Sequence, residues 1–420
     1  MKNVLISAYA CIPGRGSEEG NGWHYSSIVS LTNHRVWCLT RLRNKQALEQ
    51  HLAQTPYPNL TYVYVDTPAW VEKVYHWGLM GMYFHYLYWQ WAALKTARPL
   101  NEKYNFDIVH HVSYGSLQLG SLLYKLKRPF IFGPIGGGQE SPGSMRYYFK
   151  DHWRKEQMRT LVSQLLMRFN PGCYGAVRRA QHVLVWNEDT LRKVHSLGRT
   201  TGITKEFSGI SESFIPQQPL AHTPGPVLQL VWVGRLMPRK GLELTLHALS
   251  KVDSRLPIQL TVVGDGEMGR YLPEYLDRYK LKERVNWTGK VDYEQVKAFY
   301  RQADVFFFTS LRDTGPAQLL EAMAYSLPVV TLNIHGQAEL VNESTGIRVP
   351  LTDRETVASD LAKAIEWMYH HPAERLKMGR QAYEFASKQT WELKIRRFVK
   401  TYYGPTDEHP VKQGVQINLQ

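Results

Sequence analysis

The chain contains little cysteine and no long apolar run, and both shortages narrow the class of protein. Only three of its 420 residues are cysteines, Cys11, Cys38 and Cys173, and none of them belongs to a C-x-x-C pair. This number and spacing support neither a disulfide framework nor a thiolate zinc site, so a reducing cytosol is the expected compartment. No segment reaches the roughly 18 uninterrupted apolar residues that a membrane-spanning helix needs.

The segment that comes closest to such a run is the aromatic stretch from Tyr75 to Lys95. His76, His85 and Gln90 interrupt it, and the pattern therefore predicts an amphipathic helix rather than a membrane span. Its aromatic side chains either pack in a core or face a membrane, and the sequence leaves both alternatives open. The short apolar run at the N-terminus predicts a first buried strand, not a signal peptide.

Acidic residues are scarce relative to basic ones. The chain has 51 Lys and Arg against 37 Asp and Glu, a net charge of +14. Residues 1–215 carry 25 of these basic residues against 14 acidic ones, whereas the remainder carries 26 against 23. This excess of basic residues predicts an anionic partner for the first half. That partner is either a nucleic acid, or an anionic membrane or acceptor. The basic segment from Arg146 to Arg168 and the aromatic stretch are the candidate membrane-facing surface.

Short, mostly apolar runs alternate with helical patterns twice along the chain, on either side of a proline-bearing segment near residue 220. These runs predict strands at 4–7, 35–39, 60–65, 108–110, 129–132, 182–186, 228–233, 259–263, 285–287, 305–308 and 329–331. This alternation predicts an α/β protein with two doubly wound, Rossmann-like domains that face a central cleft. We expect an acceptor-binding domain at 1–218, a donor-binding domain at 219–388, a C-terminal helix at 389–404 that returns to the first domain, and a flexible tail at 405–420.

The strongest local pattern runs from Asp313 to Ala324, directly after the predicted strand at 305–308. It places one acid in a loop and a second, Glu321, eight residues further along. Exposed amides of a first helical turn lie between them. Such a spacing suits a nucleotide sugar, with one carboxylate on sugar hydroxyls, amides on phosphates and the other carboxylate on a ribose. The alternative is an ordinary helix that Asp313 caps.

A second pattern follows the strand predicted at 228–233. Gly234 ends the strand, and Arg235 and Lys240 enter the loop before the next helix. Two fixed cations beside a helix start suit a diphosphate leaving group. A solvated basic turn is the alternative.

Together these segments resemble the donor half of a family 4 (GT4) retaining glycosyltransferase of the GT-B fold, the group 1 type. The resemblance rests on G-R-L-x-x-x-K-G, V-G-x-G and E-x7-E, which this chain matches at 234–241, 263–266 and 313–321. It implies that Arg235 and Lys240 bind the diphosphate, Asp313 the donor sugar and Glu321 the ribose. It also implies donor contacts from Gly234, Thr314, Gly315 and Pro316, and a base held near Val291.

The chain departs from this family pattern at several positions. Asp313 replaces the usual Glu, which shortens the reach by one methylene. Pro316 replaces a Gly and removes one backbone N–H that could meet a phosphate. Ser326 replaces a Gly, and this substitution is expected to change only the local packing. Val112 stands where many relatives carry a second His.

The first half supplies the other candidate residues. The glycine-rich loop after the first strand resembles the family loop in which Gly20 and Asn21 approach the donor, and a flexible loop is the alternative. His110 matches the family's D-x-x-H segment and is the expected catalytic histidine, with a structural histidine as the alternative. Successive strand residues face opposite ways, so at most one of His110 and His111 enters the cleft. Gly136 and Gly137 are the candidate acceptor contacts. The alternative is that these glycines form a tight turn required only for folding.

The resemblance implies a metal-independent hexosyltransferase that retains the anomeric configuration, with the departing phosphate helping to deprotonate the acceptor. His110, Asp313, Arg235 and Lys240 would be its catalytic residues, with no cofactor and no bound metal. Its expected donor is a nucleoside-diphosphate sugar, with UDP-glucose as the first candidate. Its expected acceptor is a glycan or lipid-linked glycan in the assembly of a cell-surface polysaccharide or exopolysaccharide. The enzyme would be cytoplasmic, with peripheral contact to the anionic inner face of the membrane, and would bind no nucleic acid. A basic nucleic-acid-binding protein and a nucleotide-sugar epimerase are the alternatives.

Overall fold

A computed structural model describes residues 1–404 and shows two parallel β-sheets, each covered by helices on both faces. This is the predicted fold class. The tail expected to be flexible, 405–420, lies outside the described residues. The first sheet has the order β3-β2-β1-β4-β5-β6-β7 and the second β10-β9-β8-β11-β12-β13. Their strands are β1 (Asn3–Ala8), β2 (Arg35–Arg41), β3 (Leu60–Val65), β4 (Ile108–Ser113), β5 (Phe130–Ile135), β6 (His182–Val185), β7 (Ile203–Lys205), β8 (Leu228–Val233), β9 (Ile258–Val263), β10 (Val285–Trp287), β11 (Val305–Phe308), β12 (Val329–Leu332) and β13 (Gly346–Val349).

Helices connect most of these strands. In the first half they are α1 (Ser17–Ser30), α2 (Lys45–Gln54), α3 (Ala69–Tyr75), α4 (Gly78–Tyr104), α5 (Trp153–Phe169), α6 (Pro171–Arg179) and α7 (Glu188–Ser196). In the second half they are α8 (Leu242–Lys251), α9 (Leu272–Arg278), α10 (Tyr293–Gln302), α11 (Ala317–Ala324), α12 (His335–Leu340), α13 (Arg354–His370), α14 (Pro372–Ala386) and α15 (Trp391–Phe398).

The central strands are buried on both faces, which is why they form nearly continuous apolar runs. In β1, Leu5 enters the core that α4 covers, whereas Val4 and Ile6 enter the opposite core beneath α1 and α15. The two strands that the sequence did not predict, β7 and β13, are short, contain charged residues and lie at sheet edges. Such strands lack the apolar run on which the prediction depended.

The aromatic stretch begins at the last residue of α3 and forms the larger part of α4, so the prediction of a helix there is confirmed. Some of its aromatic side chains pack in the core and others are exposed to solvent. Tyr86 and Trp89 are buried in the core, whereas Trp77, Phe84 and Trp91 are exposed. Within residues 1–404 no helix is both long and apolar enough to cross a bilayer.

One segment of the first half packs in the core of the second. Met145, Tyr148 and Phe149, from the turn-rich segment 143–152 before α5, join the core built around β8 and β9. The Tyr148 hydroxyl lies 2.8 Å from Nδ1 of His247 in α8. A single cut at residue 218 therefore does not separate the two cores.

The C-terminal helix α15 packs against α1 and the first sheet. The Phe398 ring stacks on His110 of β4 at a centroid distance of 5.0 Å. Trp391 packs against Gly209, where an added Cβ would meet the indole at 2.3 Å. The chain thus crosses back to the first half after completing the second.

This packing predicts that Phe398 anchors α15. Phe398→Ala should lower the free energy of unfolding by about 3–5 kcal/mol, since a buried aromatic ring leaves a cavity. Leu393→Ala, on the exposed side of the same helix, should change it by less than about 1 kcal/mol. Urea titration monitored by tryptophan fluorescence measures both, and equal losses would contradict the docked helix.

Candidate active site

A cleft of about 1140 Å³ lies between the two sheets, at the carboxyl ends of their strands. Loops after β1, β4 and β5 form one wall. Loops after β8, β9 and β11 and the starts of α10 and α11 form the other. Ligands of open α/β sheets bind at such an edge, because the polar loop groups and helix N-termini gather there.

Most of the predicted site residues line this cleft. They are Asn21, Gly136, Gly137, Gly234, Arg235, Lys240, Val291, Asp313, Thr314, Gly315, Pro316 and Glu321. Gly20 and His110 are not among the lining residues. The structure therefore brings together the two donor-half motifs and two of the three candidate loops of the first half.

Lys240 and Asp313 form a buried ion pair in the cleft wall. Lys240 Nζ lies 2.5 Å from Asp313 Oδ2, and Arg239 Nη1 lies 3.7 Å from the same oxygen. Burial lowers the pKa of Lys240, although Asp313 opposes that shift. Burial would raise the pKa of Asp313, but Lys240 and Arg239 outweigh it and hold that pKa below its ordinary value. Lys240, predicted to bind the diphosphate, and Asp313, predicted to bind the donor sugar, are thus paired with each other in this structure.

The Glu321 carboxylate is held by two phenols. It accepts hydrogen bonds from the Tyr293 hydroxyl at 2.9 Å and the Tyr300 hydroxyl at 3.2 Å. Burial raises the pKa of Glu321, and the two hydroxyls oppose the rise. A carboxylate has about four lone-pair positions, so this one keeps acceptor capacity for a diol.

The loop 313–316 is held from the opposite wall. Asn187 Nδ2 donates to the Thr314 carbonyl at 2.8 Å, and the Gln139 amide donates to the Thr314 hydroxyl. Gly136 lies so close that an added Cβ would be 2.2 Å from the Thr314 methyl. The helix α11 begins only at Ala317, so Asp313 is a loop residue and not its cap.

Two of the loop residues expected to contact the donor offer no free backbone N–H to a phosphate. The Thr314 N–H donates to Asp313 Oδ1 at 3.1 Å and is engaged within the loop. Pro316 has none. Arg235 is exposed in the cleft and forms no ion pair among the described residues, so its guanidinium is available to an anion.

Gly20 supports the wall without lining it. It lies in the first turn of α1, where an added Cβ would be 2.3 Å from the Arg15 carbonyl oxygen. The loop 14–16 can fold back over the helix only because this position lacks a side chain. Its neighbour Asn21 does line the cleft.

His110 is buried in the core between β4 and α15. Its Nδ1 lies 2.8 Å from the Tyr403 hydroxyl and its Nε2 lies 2.7 Å from the Gly133 carbonyl. Burial lowers its pKa to about 3, so it is neutral. His111 faces the opposite core, as the strand alternation predicts, and its pKa falls to about 4 by burial. The expected entry of His110 into the cleft is therefore not seen, because the strand turns that side chain beneath α15.

Several lining residues were missed by the sequence patterns, among them Glu18, Gln139, Trp186, Tyr293 and Arg312. Trp186 and Tyr293 lie outside the predicted motifs, whereas Glu18 and Gln139 belong to the glycine-rich segments of the first half and Arg312 directly precedes Asp313. Arg312 Nε lies 2.6 Å from Glu156 of α5 and so joins the two walls. Burial lowers the Arg312 pKa to about 10. Residues 1–404 contain no group of three or more His, Cys, Asp or Glu placed to hold a metal ion.

The environment of His110 predicts a structural role. His110→Phe should lower the free energy of unfolding by about 2–4 kcal/mol, since the Tyr403 hydroxyl and the Gly133 carbonyl lose their partner. The remaining folded protein should bind UDP with unchanged affinity in calorimetry. A variant of unchanged stability that no longer hydrolyses a nucleotide sugar would instead place His110 at the reaction centre.

Comparisons with known proteins find similar glycosyltransferases. Residues 221–385 match the family Glycosyl transferases group 1. The chain is 24% identical over 300 residues to the putative colanic acid biosynthesis glycosyltransferase WcaL of Salmonella typhimurium, covering 65% of this chain and 72% of that one. It is 28% identical over 171 residues to a GDP-mannose-dependent alpha-mannosyltransferase of Corynebacterium glutamicum, covering 41% of this chain but only 38% of that one.

Among solved structures, HepE of Anabaena in complex with UDP superimposes with a TM-score of 0.62 at 16% identity, covering 96% of this chain and 99% of that chain. At that identity the likeness concerns the fold. The family match covers the wall that carries Arg235, Lys240, Asp313 and Glu321. The chain's resemblance to a GT4-like glycosyltransferase of the GT-B fold is thus confirmed, and its residues 221–385 match the model of the glycosyl transferases group 1 family.

Proposed function

We propose that this protein transfers a sugar from a nucleoside-diphosphate sugar to a glycan or lipid-linked glycan in the assembly of a cell-surface or exported polysaccharide. The observation that carries the proposal is the convergence of Arg235, Lys240, Asp313 and Glu321 in one cleft. Cations for a diphosphate, an acid for a sugar and an acid for a ribose are the groups such a donor requires. The polysaccharide setting is supported by the name of the similar WcaL protein.

UDP-glucose is the first candidate donor. The similar fold of HepE was solved with UDP and also with UDP-glucose, which supports this choice. The similar mannosyltransferase uses GDP-mannose by its name, so GDP-mannose is the second candidate. Gly136 and Gly137 border the donor loop from the other wall and are proposed acceptor contacts.

The chemistry we propose retains the anomeric configuration. The bond between the anomeric carbon and the β-phosphate oxygen breaks, and its electron pair leaves with the diphosphate. Arg235 and Lys240 stabilise that negative charge, while Asp313 fixes the sugar hydroxyls. Preorganised charge and orientation supply most of the acceleration. Because two side-chain cations face the diphosphate, we propose that no metal is needed.

A donor screen tests this function. UDP-, GDP- and dTDP-sugars are added to the protein in EDTA, and thermal shift and released nucleotide are measured. One nucleotide at one hundred times its Kd should stabilise the fold by about 2.7 kcal/mol. Arg235→Ala and Glu321→Ala should abolish that shift, whereas Arg255→Ala, an exposed cation of the same half paired with Asp253, should preserve it.

No stabilisation by any nucleotide would overturn the proposed function. Activity that appears only when a divalent cation is restored would contradict metal independence alone. The anomeric configuration of the product, measured by NMR, tests retention separately. Steeply salt-dependent DNA binding without nucleotide binding would favour a nucleic-acid-binding protein instead.

We also propose peripheral contact with the anionic inner face of the cytoplasmic membrane. Two helices that cover the same face of the first sheet expose apolar side chains to solvent. In α4 and the turn before it, these are Trp77, Met80, Phe84 and Trp91, and in α5 they are Met158, Leu161, Leu165 and Phe169. Leu79 of α4 and Arg159 of α5 line the cleft, so this surface borders the acceptor wall.

Basic residues beside these apolar side chains favour anionic lipids. Arg154, Lys155 and Arg168 are exposed along α5 beside its apolar residues, and residues 1–215 carry most of the net positive charge of the chain. Apolar insertion combined with basic residues is the pattern of helices that lie in an anionic interface.

Vesicle sedimentation tests this contact. The protein should sediment with vesicles containing phosphatidylglycerol and stay in solution with phosphatidylcholine alone. Replacing Trp77 and Phe169 together by Ser should reduce sedimentation at least about fivefold, since buried apolar area contributes to binding. The exposed Leu393→Ser on α15 is the control. Equal binding to neutral vesicles, or none to either, would contradict the proposal.

A further inference from the structure

Asp313 uses most of its hydrogen-bonding capacity within the protein itself. Its Oδ2 accepts a hydrogen bond from Lys240 Nζ at 2.5 Å and lies 3.3 Å from the Ser310 hydroxyl. Its Oδ1 accepts from the Thr314 N–H at 3.1 Å. A carboxylate has about four lone-pair positions, so about one remains for a further donor. A sugar that presents two hydroxyls to Asp313 must therefore displace one of these partners.

Lys240 is the partner that a nucleotide can draw away. It lines the cleft, and no acid other than Asp313 forms an ion pair with it in residues 1–404. Glu321 faces it from beyond ion-pair distance, and Arg239 and Arg312 are neighbouring cations. A diphosphate held by Lys240 would lie beside the Asp313 carboxylate. Two anions would then compete for one ammonium group.

Arg235 is free of this competition. It is exposed in the cleft and forms no ion pair among the described residues, so it can bind an anion without giving up an acidic partner. The competition therefore concerns the part of the ligand that lies nearest to Lys240 and Asp313. In the proposed binding mode, that part is the β-phosphate and the sugar attached to it.

The substrate and the product of the proposed reaction differ at this very part. In a nucleoside-diphosphate sugar the β-phosphate is linked to the sugar and carries about one negative charge. In the free nucleoside diphosphate it is a terminal phosphate with a second pKa of about 6, and it carries nearly two negative charges at neutral pH. The Asp313 carboxylate repels the second form more strongly. Only the first form offers sugar hydroxyls that can replace the hydrogen bond from Lys240.

We propose that Asp313 distinguishes the substrate from the product by competing with the free nucleoside diphosphate for Lys240. The inference rests on the proposed transferase function. When the intact nucleotide sugar binds, its hydroxyls occupy Asp313, and Lys240 turns to the phosphate. After the sugar has been transferred, Asp313 loses those hydroxyls and pairs with Lys240 again. The nucleoside diphosphate is then bound less tightly and leaves the cleft.

Calorimetric titration with UDP and with UDP-glucose, or with the corresponding pair identified by the donor screen, tests this inference without an acceptor. Asp313→Asn keeps the size of the side chain and removes its charge. It should tighten the binding of UDP at least about tenfold, because the repulsion between carboxylate and terminal phosphate is lost. The affinity for UDP-glucose should not rise, because the charged hydrogen bonds to the sugar are lost as well.

The ratio of the two dissociation constants is the decisive quantity, since a merely structural role of Asp313 would change both affinities alike. Asp313→Glu keeps the charge and should keep the parental ratio. The matched control is Asp265→Asn, which removes a carboxylate from the same wall that is bonded to the Gly266 N–H and not to Lys240. It should change each affinity by less than about threefold.

Asp313→Ser is the second variant should Asp313→Asn not fold, because its smaller side chain admits water from the cleft to Lys240. It should tighten the binding of UDP in the same way, and thermal denaturation checks both variants. If UDP affinity is unchanged, or falls by the same factor as the affinity for UDP-glucose, Asp313 does not compete for Lys240 and the inference is wrong. Failure of the parent protein to bind any nucleotide would instead show that the proposed function is wrong.

Discussion

The buried ion pair between Lys240 and Asp313 is the interaction on which the cleft depends. Lys240 is only 5% exposed, and an ammonium group so deeply buried needs a partner to stay charged. Asp313 is that partner. Removing one member of a buried pair costs about 3–5 kcal/mol, because an uncompensated charge remains. The pair holds the loops after β8 and β11 together and keeps both charges ready for a ligand. A diphosphate brings the negative charge that can satisfy Lys240 while Asp313 turns to sugar hydroxyls.

The opposite wall then fixes the position of this charged centre. Thr314 is bound by Asn187 and Gln139, and the missing side chain of Gly136 allows the two walls to touch. Glu156 and Arg312 join the walls at a second point. The segment 143–152 packs in the second core and forms a third connection. These contacts hold the two walls of the cleft in a fixed relative position. The proposed donor lies against one wall, and Glu18 belongs to the other.

Much of this arrangement was predictable from local sequence. Short, mostly apolar runs located eleven of the thirteen strands in residues 1–404, because strands buried on both faces are largely apolar along their length. The E-x7-E and G-R-L motifs located the second wall, since their residues are contiguous. His110 shows the limit: the motif matches, but the side chain points beneath α15, and the partner Tyr403 lies 293 residues away. Tyr293 could not be found for the same reason, because its contact with Glu321 is created by the fold and not by spacing.

The most direct measurement is a crystal structure of the protein with an intact nucleotide sugar. The account predicts that the diphosphate lies against Arg235 and Lys240, that the ribose hydroxyls meet Glu321, and that the sugar lies between Asp313 and the Gly136 loop. Lys240 Nζ should then lie within hydrogen-bonding distance of a phosphate oxygen. A nucleotide bound outside this cleft, with the Lys240–Asp313 pair untouched, would contradict it.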